Sequence, residues 1–197
     1  AIAADLLDRD DPPRLVEQAR AALGPITVLV NPAAFTAPGR PPKPGAPAKP
    51  AAAKPAPSGT PNADWPGFLS VPLAAYRRHF EIGPFASYEL TQLVCPDMIE
   101  TGLGAIVNVT SVASRVPGDG PYDDFAGGVL PGYGGSKAAL EHLTSCAAFD
   151  LQRHNIAVNA LAPSRPIATP GLSYYRTEFA SVSPEDEFAR AAVELAL

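Results

Sequence analysis

The stretch Tyr133-Gly134-Gly135-Ser136-Lys137 runs directly into Ala138-Ala139-Leu140-Glu141-His142-Leu143. A Tyr and a Lys four residues apart at the head of an amphipathic run share one helix face, one turn apart. A free phenol is a poor proton acceptor at neutral pH, because its pKa is about 10. An ammonium one turn away favours the phenolate and is expected to lower that value. Tyr133 then becomes usable as a general acid or base toward a hydroxyl or carbonyl. The spacing alone is a weak signal, since an exposed Tyr above a Lys is commonplace. Its neighbours give it weight.

Upstream, Gly104-Ala105-Ile106-Val107-Asn108-Val109-Thr110-Ser111 reads as a buried strand ending in a hydroxyl. Downstream, Asn155-Ile156-Ala157-Val158-Asn159-Ala160-Leu161-Ala162-Pro163 reads as another. Before both lies Ile26-Thr27-Val28-Leu29-Val30-Asn31-Pro32-Ala33-Ala34, a continuous apolar run of the kind found in strands covered on both faces. In this order and with these endings, the chain resembles the short-chain dehydrogenase/reductase family over nearly its whole length. The resemblance implies an α/β fold with a Rossmann-like, doubly wound parallel sheet. It also implies a nicotinamide cofactor, NAD or NADP, and a small alcohol or carbonyl substrate. Ser111, Tyr133 and Lys137 are the implied catalytic residues.

The same resemblance assigns a cofactor path. Asp5 and Leu6, at the end of an expected first strand, fall where the family meets the adenine. Asn31, Ala33 and Ala34 fall on the turn along the ribose. Tyr133 and Lys137 face the nicotinamide ribose, and Pro163 and Ile167 flank the nicotinamide. Departures from the family pattern are visible. Pro32 removes a backbone donor, and Ala34 places a methyl where a glycine lets the chain approach the cofactor. Ser164 stands for a glycine. The helix expected over Leu73–Met98 carries Gly83-Pro84 where the family has an Asn that holds a relay water.

A length of 197 residues and a hydrophobic content of 46% suit one α/β domain. No apolar run approaches the roughly 18 residues of a membrane span, and a net charge of −5 without a basic cluster argues against nucleic acid as a partner. Cys95 and Cys146 lack metal-ligand or redox spacing, so no metal site is expected. Both are expected to be buried free thiols in helices, which fits a reducing cytoplasm. Asp10 or Asp11 is expected to cap a helix that Gly24 closes. The chain lacks an initiator Met, begins inside an apparent strand and ends in a helix opened by Pro184. It reads as part of a longer protein, with the first two strands and a C-terminal strand of the sheet outside it.

From Pro38 to Pro61, nine of 24 residues are proline and most others are Ala, Lys or Gly. Such a segment has too little apolar surface to pack and favours polyproline II conformations. The domain is therefore read as residues 1–197 interrupted by a disordered insertion at about 38–62. Residues between Ser111 and Tyr133, with Asp119, Tyr122, Asp123 and Asp124, form a loop longer than the family's, expected to shape specificity. Gly128, Gly132 and Gly134 match a glycine-rich cofactor spacing, but they precede the catalytic Tyr instead of following a first strand. They are taken as coincidence. The small residues Ala138, Ala139, Leu143 and Ala147 suit helix packing in a homodimer or homotetramer. An alternative keeps the fold and drops the reaction, leaving a cofactor-binding sensor or scaffold.

Overall fold

A computed structural model describes residues 1–35, 72–115, 131–165, 167 and 184–197. The Pro-rich segment, the acidic loop with Asp119–Asp124, Gly128 and the segment bearing Thr169, Tyr174 and Tyr175 lie outside the described residues.

Three strands form a parallel sheet in chain order: β1 (Val28–Asn31), β2 (Gly104–Val109) and β3 (Ile156–Leu161). Leu29, Ile106 and Val158 stand in register and therefore point to one face. On that face lie three helices: α1 (Asp11–Leu23), α3 (Ala86–Thr101) and α4 (Pro131–Leu151). The core joins Val16 of α1, Leu90, Val94 and Met98 of α3, and Ile106, Ile156 and Val158 of the sheet, with Ala147 and Leu151 of α4 packed against it. Arg20 of α1 grips Asp97 of α3 through Nε at 3.0 and 2.9 Å, and Asp97 also accepts the Ile26 amide at 3.0 Å. One carboxylate thus locks two helices to the entry of β1. The pairing holds the Asp97 carboxyl below its ordinary value, with the Arg20 bond the main cause.

On the opposite face Val28 is 42% and Val30 41% exposed. The helical layer that a doubly wound sheet carries there is not among the described residues. Among the described residues, the end of α5 (Glu185–Glu194) and its tail approach, where Leu195 and Leu197 join Val28, Ala105 and Ala157 around a cleft. That cleft lies at the amino-terminal ends of the strands, away from Tyr133.

Several expectations are corrected. Ala1–Asp5 forms no strand: Asp8 N–H donates to the Asp5 carbonyl at 2.9 Å, and the segment runs as a turn into α1. A strand needs a neighbour to satisfy its ladder, and none of the described strands pairs with it. Asp10 occupies the cap position of α1 without a side-chain cap bond, while Asp11 instead bonds Arg14. Cys95 is buried but Cys146 is exposed, because position 146 falls on the outer face of α4. By contrast, the break expected at Gly83-Pro84 within the 73–98 helix is present: it divides the run into α2 (Leu73–Phe80) and α3, joined by a π-type turn at Glu81–Phe85. Pro84 cannot donate to the helical ladder, and Gly83 takes a non-helical ψ of −105°.

Candidate active site

The end of β2 delivers Ser111. Its backbone is still extended (φ −158°, ψ 151°), and its hydroxyl accepts the Ala113 amide at 3.3 Å to start a single 3-10 turn, Val112–Ser114. Glu141 of α4 fixes that turn from the side, accepting from Thr110 at 3.0 Å, Ser114 at 2.7 Å and Arg115 at 3.4 Å. Deeper, Asn31 donates to Asn108 at 2.8 Å, Asn108 to Thr144 at 2.9 Å and Thr144 to the Leu140 carbonyl at 2.7 Å. This buried polar chain ties β1, β2 and α4 together. It is the support beneath the site that sequence reasoning missed. The polar residues Asn108 and Thr144 inside otherwise apolar elements were its visible trace.

Lys137 is 3% exposed, and its Nζ donates to the Val109 carbonyl at 2.7 Å. The same nitrogen lies 5.8 Å from the centre of the Tyr133 ring. Burial pushes the amine down to about 8. Tyr133 is half-buried at the first turn of α4, and its phenol is hydrogen-bonded with the Ser111 hydroxyl. Burial raises the phenol pKa, and the Ser111 bond only partly offsets that. The expectation that Lys137 would lower it is not met in this structure. The ammonium directs one of its donors to the Val109 carbonyl, and the phenol loses more from desolvation than its surroundings return.

Ser111, Tyr133 and Lys137 thus meet at the carboxyl end of β2. The other expected positions divide. The Asn31 side chain is turned inward to Asn108, so only its backbone is left for a ligand. Ala33 is exposed and Ala34 half-buried, and the segment continues to Phe35, whose ring meets His79 edge-on at 5.0 Å. Pro163 and Ile167 are half-buried beyond β3. Asp5 is exposed in the turn before α1, accepting the Leu7 amide at 3.0 Å, and Leu6 packs against the core. Their contacts are local to that turn and to the core. Gly132, taken from the sequence as coincidence, has a packing role: a Cβ there would stand 2.6 Å from His79 Cδ2 and 3.2 Å from Tyr76 Cα.

The profile of the short chain dehydrogenase family matches residues 62–178, more than half of the chain. The chain belongs to the short-chain dehydrogenase/reductase family. The 7α-hydroxysteroid dehydrogenase of Escherichia coli K12 is 37% identical over 95 residues, 48% of this chain and 34% of that protein. The pig protein named carbonyl reductase [NADPH] 2 is 30% identical over 128 residues, 64% of this chain and 46% of its own length. The matched part therefore spans about a third to a half of these relatives. Among solved structures, a 7α-hydroxysteroid dehydrogenase complexed with NADH and 7-oxo glycochenodeoxycholic acid is 25% identical, with a TM-score of 0.73. It covers 100% of this chain and 66% of its own. A gluconate 5-dehydrogenase from Burkholderia cenocepacia, in complex with NADP and tartrate, shares the fold with a TM-score of 0.71 at 20% identity, covering 98% of this chain and 66% of its own.

Proposed function

We propose that this chain carries the catalytic part of an NAD- or NADP-dependent oxidoreductase interconverting an alcohol and a carbonyl, with Tyr133 as general acid/base. The meeting of Ser111, Tyr133 and Lys137 at one strand end carries this reading. The site fits the expected cofactor at one telling point. Among the described residues, the Lys137 ammonium has one accepting partner for its three protons, which leaves two donors for a ribose diol. When bound, the nicotinamide supplies or takes the hydride. The raised pKa keeps Tyr133 protonated at neutral pH, the state needed to give a proton to a carbonyl oxygen as it gains charge. Ser111 hydrogen-bonds the same oxygen and stabilises the developing negative charge. Lys137 then returns a proton toward the phenolate from an amine poised near neutrality. Tyr88 of α3 and Phe149 of α4, exposed at 51% and 79%, with Phe85 of the turn before α3 at 56%, support association of copies through these helices.

A binding protein without turnover is the second reading. Pro32, Ala34 and Gly83, departures from the family pattern, favour it. Fluorescence titration of the full-length protein with NADH and NADPH, followed by a carbonyl panel read through nicotinamide absorbance, separates the two. Tyr133→Phe is expected to lower kcat by about 100-fold or more while leaving cofactor affinity near wild type. Binding without turnover across the panel would instead establish the second reading.

A further inference from the structure

His79, the last but one residue of α2, is buried to 7% exposure, and its Nδ1 has no hydrogen-bond partner among the described residues. Its one polar contact is to the Phe35 backbone. With Nδ1 unpartnered, that bond is made through Nε2–H to the carbonyl. The ring touches three things at once. It meets the Tyr133 ring edge-on at 6.0 Å and 68°, meets Phe35 at 5.0 Å and 72°, and presses Cδ2 against Gly132. Phe35 closes the turn expected along the cofactor ribose, and Gly132 precedes the candidate acid. The imidazole therefore bridges the two sides of the site. Nothing in the chemistry assigned above uses it.

We propose that His79 is a positioning residue: as a neutral ring, tethered at Nε2 and wedged against Gly132, it sets the Tyr133 ring and the 31–35 turn in one register, and charging Nδ1 breaks that register. The proposal rests on the oxidoreductase reading of the site. Its physical basis is that an added proton on Nδ1 has no acceptor and little solvent, so the ring must shift to hydrate it. The charged and titratable groups around it make this worse. From α4 come the Tyr133 phenol and the Lys137 ammonium; from its own helix come Tyr76 and Arg78, and the Arg78 guanidinium lies 5.8 Å from the Phe35 ring. Among these, none is a carboxylate. Burial is the main cause that holds the imidazole below its ordinary 6.5; the Phe35 bond opposes it, and the Lys137 charge adds a smaller push downward. The ring is thus neutral in both folded and unfolded chains above that value. As pH falls below it, the unfolded chain takes the proton first and the fold loses stability.

The test uses the full-length protein with NADH and NADPH, wild type beside His79→Gln and His79→Phe. Gln keeps an amide donor able to reach the Phe35 carbonyl and cannot ionise; Phe keeps the ring volume without nitrogen. In wild type, kcat for carbonyl reduction is expected to fall about tenfold per pH unit below the midpoint of the ring, with KM little changed. Cofactor affinity is expected to weaken over the same range. His79→Gln should lower the neutral-pH rate several-fold but flatten the acid limb of both profiles. His79→Phe should lower kcat at every pH without moving the melting midpoint by a comparable amount. An acid limb retained in His79→Gln would overturn the proposal, as would an imidazole titrating at or above about 6.5 by NMR of the wild-type protein. If wild type binds cofactor but turns nothing over, the oxidoreductase reading fails by itself; the pH dependence of binding and the NMR titration still decide the role of His79. If neither variant folds, the wild-type NMR titration alone decides it.

Discussion

Lys137 is the costliest side chain of the site to bury. Moving its amine from 10.5 to about 8 corresponds to about 3 kcal/mol of destabilisation wherever the group is charged in both states. Below pH 8 the fold bears that cost in full. As pH rises from 8 toward 10.5, the folded chain releases its proton first, and the cost is relieved. Lys137→Met is therefore expected to raise stability at pH 7 by about 2 kcal/mol, after loss of about 1 kcal/mol for the Val109 bond. It should also abolish turnover. Urea midpoints at pH 7 and pH 10 check this, because the gap between variant and wild type must narrow at the higher pH. A residue retained against stability is one retained for chemistry. The pairing of Tyr133 with Lys137 was legible in the sequence; the direction of the Tyr133 shift was not, since it depends on how much water each group loses.

The joint between α2 and α3 was legible as a break, since glycine followed by proline cannot continue a helical ladder. Its form as a five-residue π-type turn was set by packing against α4. A Cβ at Gly83 would meet Ser136 Cβ at 3.7 Å and Oγ at 3.8 Å, ordinary contact distances. Gly83→Asn, restoring the amide found in the family, is therefore expected to change stability by less than about 1 kcal/mol. If an amide-held water speeds proton return to Tyr133, kcat rises in this variant; an unchanged kcat would mean that the proton reaches Tyr133 another way. Gly104, at the start of β2, contrasts with it. A Cβ there would lie 2.7 to 2.8 Å from Met98 Sδ, Cγ and Cβ, and Met98 is fully buried. Gly104→Ala is expected to cost about 1–3 kcal/mol, read as a drop in the denaturant midpoint with an unchanged slope.

Across the described residues the sheet is covered on one face, while on the other Ala105 and Val107 of β2 are buried and the β1 edge is exposed. Val28 and Val30 are 42% and 41% exposed beside each other on the edge strand β1. Parallel sheets are ordinarily buried on both faces, and an apolar edge invites pairing with another chain. The 197-residue chain by itself is expected to self-associate and to bind NADH and NADPH weakly. A monodisperse monomer by light scattering, with micromolar cofactor affinity, would contradict this. No helix among the described residues is long and apolar enough to cross a membrane.

The sequence by itself determined the family and the three parallel strands, and it singled out Ser111, Tyr133 and Lys137 as candidates. Each is written locally, in apolar runs that end in particular polar residues and in a four-residue spacing on one helix face. Only the tertiary structure decided what depends on partners distant in the chain. Ala1–Asp5 looks like a strand but pairs with none of the described strands. The Asn31 side chain is bonded to Asn108, 77 positions away, a partner that no local pattern names. His79 looks like one polar residue among several on α2. Burial against Phe35 and Tyr133 is what singles it out, and burial is a property of the folded chain that no local pattern contains.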